Sequence, residues 1–301
     1  MEQNTAILTE GLVKNYGPVK ALRGVNLEVR RGEIFGFLGP NGAGKTTTIR
    51  CLLDMIRPNG GTIRVLGLDP QRQSVQVRAR AGYLPGELAF EGNMTVEAGL
   101  RYLASLRGGK VDWGFAHTLA KRLELDLKPQ FKNLSKGNKQ KFGLVQALMH
   151  QPELLLLDEP TAGLDPLMQR EVLKLLHEMN RAGATIFFSS HIISEVEQVA
   201  ARVGIIRQGL VVEIAETQAL VKRALRRARV RFGKPAQAES LENVAGVKVL
   251  NTDGDTVHIQ IEGEMDALLK ALAKYTVCEF ETERPSLEEI FLAYYADKEA
   301  Q

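Results

Sequence analysis

The stretch Gly39-Pro40-Asn41-Gly42-Ala43-Gly44-Lys45-Thr46-Thr47 decides the fold of this chain. It matches the phosphate-binding pattern G-x-x-x-x-G-K-[ST], which needs a strand before it and a helix after it. The apolar run Ile34–Leu38 predicts the strand, and Thr48–Leu53 predicts the helix. Glycines let backbone N–H groups turn toward phosphate oxygens, and the helix N-terminus adds a partial positive charge. The sequence therefore predicts a nucleoside triphosphate site at residues 39–47.

Two side chains of this loop have distinct expected tasks. The pattern predicts that Lys45 reaches the β- and γ-phosphates and that the Thr46 hydroxyl ligates Mg²⁺. The alternative is a glycine-rich turn that carries a lysine by chance. That alternative does not explain the strand and the helix on either side, so we favour the phosphate-binding loop, or P-loop.

Composition sets outer limits on the class of protein. The chain has 301 residues, of which 44% are hydrophobic and 25% charged, as in a globular protein with room for two domains. A net charge of +3 is too small to indicate nucleic-acid binding by itself. Cys51 and Cys278 lie far apart and predict two buried apolar positions rather than a disulfide framework or a metal site. The N-terminus lacks a signal-peptide pattern, and no apolar stretch approaches the ~20 residues of a membrane span. If the protein acts at a membrane, we expect another chain to provide the pore.

Strand and helix patterns alternate along residues 5–225. Residues 5–66 are strand-rich, residues about 87–134 predict an inserted helical subdomain, and three apolar strands then follow at Leu154–Asp158, Ala184–Ser189 and Arg202–Ile206. Alternation of strands with helices indicates a parallel sheet with helices on its faces. We predict an α/β fold for residues 1–225: a P-loop NTPase core with a mixed or parallel sheet and the helical insertion.

Residues 226–301 have a different pattern of strands and helices, which predicts a small α+β domain. Short strands are expected near Val230–Phe232, Val247–Leu250, Val257–Ile261 and Val277–Phe280, with helices at Glu264–Ala273 and Ser286–Tyr295. The basic segment Lys222–Arg229 is interpreted as a solvated connector between the domains. The alternative is contact with anionic lipid or nucleic acid, but no aromatic residues interleave with its charges to stack on bases.

An acidic pair follows four consecutive leucines. Leu154–Leu157 read as a buried strand, and we expect that strand to neighbour the strand of the P-loop. Asp158 at its carboxyl end would hold Mg²⁺ through its water shell, and Glu159 would act as the base for an attacking water. The alternative is an acidic cap for the following segment, which the four leucines in a P-loop chain argue against.

A second motif, Leu134-Ser135-Lys136-Gly137-Asn138, precedes a predicted helix. Together with the P-loop and the acidic strand end, it resembles the signature L-S-G-G-Q of the nucleotide-binding subunits of ATP-binding cassette (ABC) transporters. Ser135 and Gly137 match that signature, whereas Lys136 stands at its first glycine and Asn138 at its glutamine. A hydroxyl, backbone amides and a helix N-terminus suit an anion site.

The resemblance extends over residues 5–225 and assigns further roles. Asp165, in Ala162-Gly163-Leu164-Asp165, resembles the residue through which two subunits touch, and His191 resembles the switch histidine that reaches the γ-phosphate. Tyr16 resembles the aromatic residue that stacks on adenine. For His191 the alternative is a surface or capping residue, and for Tyr16 it is an exposed tyrosine in a turn.

The same resemblance implies cofactors and partners. It implies ATP and Mg²⁺, with Ser135, Gly137 and Asn138 of one subunit covering the γ-phosphate on the P-loop of a second copy or a paired cassette subunit. It also implies an integral membrane permease subunit, a place at the cytoplasmic face of the membrane, and no nucleic-acid partner. The Ser-Lys-Gly-Asn signature and the stretch Tyr83-Leu84-Pro85-Gly86-Glu87 point to an exporter of drugs, lipids or ions.

The chain departs from the family where most cassettes carry a glutamine before the helical region. Here Gly86 has no side chain to offer, and Glu87 follows it. A carboxylate suits Mg²⁺ as a hard oxygen ligand, so Glu87 is a candidate metal contact. The alternative is that Glu87 caps a helix beginning near Leu88.

Two other functions are compatible with a P-loop. One is an ABC-type ATPase in DNA repair or translation, which would usually carry two cassettes or a long coiled coil; the sequence has one P-loop and no sustained heptads. The other is a nucleotide-gated module without turnover, against which Glu159 and His191 argue. A GTPase is disfavoured because no N-K-x-D stretch is present.

Overall fold

The computed structural model describes residues 4–90, 92–108, 111–219, 226–234, 241, 243–262 and 264–283. Internal contacts divide the chain into two units, with the division between Thr217 and Gln218. The predicted domain boundary near residue 225 falls at a segment, 220–225, that lies outside the described residues, and so does the helix predicted at Ser286–Tyr295. Each unit is described by itself.

The first unit contains most of the secondary structure. Its strands are β1 (Thr5–Tyr16), β2 (Val19–Arg30), β3 (Ile34–Leu38), β4 (Gly60–Val65), β5 (Ala81–Leu84), β6 (Leu154–Asp158), β7 (Thr185–Ser190), β8 (Arg202–Arg207) and β9 (Leu210–Glu216). Its helices are α1 (Lys45–Leu52), α2 (Ser74–Arg80), α3 (Val96–Leu106), α4 (Trp113–Arg122), α5 (Lys136–Leu148), α6 (Pro166–Arg181) and α7 (Ile193–Val199), with one 3₁₀ turn at Phe131–Asn133.

These strands form a six-stranded sheet and a three-stranded sheet. The larger sheet has the order β5-β6-β7-β3-β8-β9; its first five strands are parallel, and β9 is antiparallel to β8. The smaller, antiparallel sheet has the order β2-β1-β4. The predicted α/β core with a mixed sheet is confirmed. The expectation that the acidic strand neighbours the P-loop strand is wrong, because β7 lies between β6 and β3.

Burial explains why the central strands are so apolar. Every residue of β3, β6 and β7 is buried, as expected for parallel strands that helices cover on both faces. Each of the four leucines of β6 contributes about 1.5–3 kcal/mol by leaving water. The rings of Phe35 and Phe187 stack across β3 and β7 with centroids 5.8 Å apart. The carboxyl ends of these strands are thereby fixed at one edge of the sheet.

The helical insertion is present, and it begins later than predicted. Its first helix, α3, starts after Thr95, whose side chain accepts a hydrogen bond from the Ala98 N–H at 3.2 Å. Residues 86–90 are not helical, so the alternative in which Glu87 caps a helix near Leu88 is wrong. At the other end of α3, the half-buried Arg107 guanidinium donates to the carbonyls of Arg78 and Ala81 at 3.0 and 3.1 Å. Burial lowers the pKa of Arg107, which remains a cation that ties the insertion to β5.

The second unit is an antiparallel sheet of order β11-β12-β10-β13 with one described helix. Its elements are β10 (Arg226–Phe232), β11 (Val247–Asp253), β12 (Thr256–Ile261), α8 (Asp266–Leu272) and β13 (Val277–Glu283). Along β12, half-buried and fully buried residues alternate, and Val257, Ile259 and Ile261 face a core that includes Leu268. These elements match the predicted α+β pattern.

Two details of the second unit correct the sequence analysis. Residues 226–229 of the basic segment are not a connector: they belong to β10, where Arg229 contacts Glu281 at 2.9 Å and the following Arg231 contacts Glu279 at 3.1 Å. The segment's remaining residues, 222–225, lie outside the described ranges. Cys51 is buried, and burial raises the pKa of its thiol to about 11, but Cys278 is exposed, so the expectation of two buried cysteines is wrong for Cys278.

Candidate active site

The P-loop connects the carboxyl end of β3 with the first residue of α1. Gly44 immediately before α1 has φ 115°, in the left-handed region, and a Cβ there would lie 2.8 Å from Leu22 Cδ2. Only glycine fits this backbone and this close approach. The loop lines a cavity of about 140 Å³ together with Ala21 and Glu159; the loop residues on its wall are Pro40, Asn41, Gly42, Gly44, Lys45, Thr46 and Thr47.

Lys45 is held from two sides. Its ammonium donates hydrogen bonds to the carbonyl oxygens of Gly39 at 2.7 Å and Pro40 at 3.3 Å, and it lies 3.4 Å from Glu159 Oε1. The side chain is only 5% exposed. A buried cation with carbonyl and carboxylate neighbours is fixed in position before any phosphate arrives, as electrostatic catalysis requires.

Thr46 and Asp158 form the oxygen-rich part of the site. The Thr46 hydroxyl donates to Asp158 Oδ2 at 2.6 Å, and the Ser189 hydroxyl donates to Asp158 Oδ1 at 2.6 Å. Mg²⁺ prefers hard oxygen ligands and usually keeps several of its waters. The Thr46 hydroxyl and the Asp158 carboxylate offer hard oxygens at one point beside the P-loop, which fits a magnesium ion that Thr46 would ligate and Asp158 would hold through its water shell.

Glu159 has an unusual backbone that is held at both ends. Its φ of 51° lies in the left-handed region, which a non-glycine residue adopts at a cost of about 1–3 kcal/mol. Its N–H donates to the Ser189 hydroxyl at 3.0 Å, and its carbonyl accepts from Gln140 Nε2 at 2.8 Å. The carboxylate is thereby turned toward the P-loop, where its Oε1 atom meets Lys45.

His191 contacts the same carboxylate oxygen as Lys45. Its Nδ1 is 3.2 Å from Glu159 Oε1, and its side chain is 47% exposed. It follows β7 directly, so its position is set by the strand that separates β6 from β3. We call Lys45, Thr46, Asp158, Glu159 and His191 the P-loop edge. The structure brings these five predicted residues together.

The signature residues form a second group on other elements. The exposed Ser135 precedes α5, and its hydroxyl accepts a hydrogen bond from the Asn138 N–H at 3.2 Å. A Cβ on Gly137 would lie 3.0 Å from the Gly163 carbonyl oxygen, so the start of α5 packs against the loop that leads to Asp165. We call Ser135, Gly137, Asn138 and Asp165 the signature edge. Within the described residues, no hydrogen bond or ion pair joins it to the P-loop edge.

Asp165 is the N-cap of α6. Its carboxylate accepts hydrogen bonds from the N–H groups of Met168 at 3.0 Å and Leu167 at 3.1 Å. The Met168 N–H and then the Leu167 N–H lower the pKa of Asp165, so the carboxylate is ionised at neutral pH. Leu167 is 76% exposed, although it is a large apolar side chain beside this cap.

Tyr16 and Glu87 are less firmly tied to the site. Tyr16 ends β1 and is 45% exposed; the only ring neighbour described for it is the Lys14 ammonium, 5.3 Å from the ring centroid. Glu87 is exposed, and no contact of its side chain is described. Its neighbour Gly86, however, passes close to the P-loop edge, because a Cβ on Gly86 would lie 3.0 Å from Asp158 Oδ2.

Sequence reasoning missed three residues that hold the P-loop edge. Ser189 contacts both Asp158 and Glu159, Gln140 contacts the Glu159 carbonyl, and Glu195 is a buried carboxylate behind the site. The serine pair that ends the apolar strand β7 was an available signal for Ser189. No pattern pointed to Gln140 or Glu195, since Gln140 meets Glu159 across 19 residues of sequence and Glu195 meets Thr161 across 34.

A P-loop between a strand of a parallel sheet and a helix, with the carboxylates of Asp158 and Glu159 beside it, defines a P-loop nucleoside triphosphatase. Comparison with known proteins narrows that class. Residues 22–162 match the family profile described as ABC transporter, and residues 217–295 match the profile described as ATP-binding protein DrrA1-3-like, C-terminal domain. A profile described as AAA domain, putative AbiEii toxin, Type IV TA system matches 128–197, a stretch without the P-loop.

Individual relatives agree with the first two profiles. The bacitracin transport ATP-binding protein BcrA of Bacillus licheniformis is 40% identical over 222 residues, which are 73% of this chain and 72% of the relative. The daunorubicin resistance ATP-binding protein DrrA3 of Streptomyces coeruleorubidus is 32% identical over 311 residues, covering 98% of this chain and 97% of the relative. A solved ATP-binding subunit of an ABC transporter is 29% identical, with a TM-score of 0.66 over 71% of this chain and 91% of its own.

This chain belongs to the family of ATP-binding subunits of ABC transporters. It binds and hydrolyses ATP with Mg²⁺, as cassettes of this family do, and the alternative of a DNA-repair or translation ATPase is disfavoured. Cassettes of the family pair as dimers and work with membrane permease subunits. Among the helices that the structure describes, none is both long and apolar enough to cross a membrane.

Proposed function

We propose that the P-loop edge hydrolyses ATP, that the signature edge of a partner subunit completes the site, and that the resulting motion drives a membrane permease. The observation that carries the proposal is the Glu159 carboxylate, whose Oε1 atom lies 3.4 Å from Lys45 Nζ and 3.2 Å from His191 Nδ1. A base, a cation and a histidine thus converge beside the P-loop cavity.

Each residue of the P-loop edge then has a task in an in-line attack of water on the γ-phosphate. Glu159 accepts the proton of the attacking water, and Lys45 and His191 contact the phosphate oxygens on which charge develops. Thr46 and Asp158 would hold Mg²⁺, which neutralises phosphate charge. The protein contributes mainly position and charge, since phosphoryl transfer needs little covalent chemistry from it.

The signature edge supports a head-to-tail dimer, of two copies or of this chain with a paired cassette. Ser135 is exposed at the start of α5, where a hydroxyl and free amides suit a phosphate, yet no described contact links it to the P-loop of its own chain. Leu167 beside Asp165 is an apolar side chain left in water, as at a subunit contact. We infer that Ser135, Gly137 and Asn138 act in trans and that Asp165 touches the partner.

An apolar groove of about 350 Å³ supports the permease as the second partner. Its walls include Met55, just beyond α1, and Leu88 and Phe90, just beyond Gly86. The wall at Met55 follows the C-terminal end of α1, and α1 begins at Lys45 in the phosphate site. The wall at Leu88 and Phe90 follows Gly86, which lies close to Asp158. A permease segment seated there would contact the two parts of the chain that respond to nucleotide.

The names of the relatives support a direction of transport. BcrA is named for bacitracin transport and DrrA3 for daunorubicin resistance, which favours an exporter of drug-like molecules over one of lipids or ions. We place the subunit at the cytoplasmic face of the membrane, bound through its permease.

Tyr16 is proposed to stack on adenine, because β2, its partner strand, contributes Ala21 to the P-loop cavity. The domain boundary is proposed near residue 225, just before β10.

Glu159→Gln tests the proposal. The amide keeps the shape of the side chain but cannot accept a proton, so turnover should fall about 10²–10⁴-fold while ATP still binds. Size exclusion with ATP and Mg²⁺ should then show a dimer for the variant and mostly monomer for the unaltered chain. Glu28→Gln, an exposed carboxylate on β2, serves as the control and should change neither measurement. Turnover at the unaltered rate in Glu159→Gln would remove Glu159 as the base.

A further inference from the structure

Glu195 is a buried carboxylate to which the hydrolysis mechanism assigns no task. It lies in the first turn of α7, it is 5% exposed, and no ion pair is described for it within the residues covered by the structure. Its Oε1 atom accepts a hydrogen bond from the Thr161 hydroxyl at 2.6 Å, and its Oε2 atom accepts one from the Ser190 hydroxyl at 2.7 Å. Short bonds from both hydroxyls compensate the carboxylate for the water it has lost.

These two hydroxyls belong to the two loops that form the P-loop edge. Thr161 lies two residues after Glu159, on the turn that continues toward Asp165. Ser190 is the last residue of β7 and directly precedes His191. The Ser190 hydroxyl also accepts a hydrogen bond from the Ile192 N–H at 2.9 Å, so it fixes the chain on both sides of His191.

One carboxylate therefore spans the gap between the loop of Glu159 and the loop of His191. The two loops follow different strands. The Glu159 N–H donates to the hydroxyl and the carbonyl oxygen of Ser189, which precedes His191 by two residues, so these bonds do not hold His191 itself. The His191 side chain itself is 47% exposed, so packing alone does not fix it. The distance of 3.2 Å between His191 Nδ1 and Glu159 Oε1 depends on how firmly the two loops are joined.

We propose that Glu195 is a positioning residue: by bridging Thr161 and Ser190 it holds His191 in register with Glu159 for the attack on the γ-phosphate. The inference rests on the proposed roles of Glu159 and His191. We expect Glu195 to affect turnover through His191. We expect it to have no effect on the binding of ATP, because Lys45 and Thr46 are held by other contacts.

A double-mutant cycle on the full chain with ATP and Mg²⁺ tests this inference. Glu195→Gln keeps the volume but removes the charge and one acceptor, and kcat should fall about 10–100-fold with KM for ATP changed less than about twofold. In a His191→Ala background the same substitution should change kcat less than about twofold, since residues that act as a unit are not additive. Glu197→Gln, on an exposed residue of the same helix, is the matched control and should leave kcat unchanged.

The outcomes separate the inference from the proposed function. If His191→Ala alone leaves kcat unchanged, the proposed role of His191 fails. If His191→Ala lowers kcat but the effect of Glu195→Gln is equally large in that background, the positioning role of Glu195 is overturned. Should Glu195→Gln not fold, Thr161→Val and Ser190→Ala each remove one donor from the same carboxylate and enter the same cycle, where additivity with His191→Ala again overturns the proposal.

Discussion

The P-loop edge and the signature edge lie in one unit of the same chain, yet they differ in the contacts that the chain itself supplies to their side chains. At the P-loop edge, the side chains of Lys45, Asp158 and Glu159 all contact other groups of the chain at 2.6–3.4 Å. At the signature edge, Ser135 and Asp165 use their side chains only to cap the helices that they precede, within the described residues. One edge is organised before nucleotide arrives, whereas the other presents exposed polar groups.

The contrast teaches which part of the reaction a single subunit can perform. We expect the P-loop edge of one chain to be sufficient to bind Mg²⁺ and ATP, because its cation and its oxygen atoms are already fixed. The signature edge has donors, but among the described residues no hydrogen bond or ion pair joins it to the P-loop edge of its own chain. We therefore expect binding to be a property of one chain and turnover to be a property of two.

The largest expected effects come from breaking each edge separately. Lys45→Ala removes charge-assisted hydrogen bonds to phosphate, so the affinity for ATP should fall about 10–150-fold and turnover should be lost with it. Ser135→Arg places a bulky cation on the signature edge, so turnover should fall about 10²–10³-fold while the Kd of the monomer for ATP stays within about threefold. Equilibrium binding and phosphate release measure the two quantities.

Ser105→Arg makes the same substitution on the exposed face of α3 and is the control for Ser135→Arg. It should leave turnover by the isolated chain unchanged. The contrast between the edges would be lost if Ser135→Arg weakened ATP binding by the monomer as much as Lys45→Ala does.

Much of the P-loop edge was predictable because its residues lie within or next to strands with strong local patterns. The strand, loop and helix around Lys45, and the leucines before Asp158, follow from hydrophobic patterning and glycine placement. The position of β7 between β6 and β3 was not predictable, since parallel strands of similar composition do not reveal their spatial order. That order is what brings Ser189 to Asp158.

Other features escaped prediction because they depend on pairing across long sequence separations. The basic segment Lys222–Arg229 was interpreted as a connector, but the glutamates that pair with Arg229 and the following Arg231 lie on β13, about 50 residues away. No local pattern singled out Glu195, because its partner Thr161 lies 34 residues away. Local pattern cannot report partners that only the folded chain supplies.

A smaller effect is expected at Glu87, where the P-loop edge meets the groove. A Cβ on Gly86 would lie 3.0 Å from Asp158 Oδ2, and α3 begins only after Thr95, so Glu87 caps no helix at residues 86–90. We propose that Glu87 couples the site to the helical insertion, directly or through a metal-bound water. Glu87→Ala should raise the Mg²⁺ concentration for half-maximal turnover by about 10-fold or less, and should uncouple ATP hydrolysis from transport in the full complex.

Glu124→Ala, an exposed carboxylate in the same helical insertion, is the control for Glu87→Ala. It should shift neither the Mg²⁺ titration nor the coupling to transport. An unchanged titration in Glu87→Ala, with transport lost only in proportion to stability, would exclude the coupling role.

The most direct measurement of the central claim is the turnover of a mixture of Ser135→Arg and Lys45→Ala chains. Each variant alone should have little or no turnover, but a head-to-tail dimer of the two contains one intact P-loop edge facing one intact signature edge. An equal mixture should therefore regain up to roughly a quarter of the unaltered turnover, as expected for random pairing of two chains across a shared interface. A mixture that stays inactive, with heterodimers demonstrated by native mass spectrometry in the presence of ATP and Mg²⁺, would contradict a site shared between two chains.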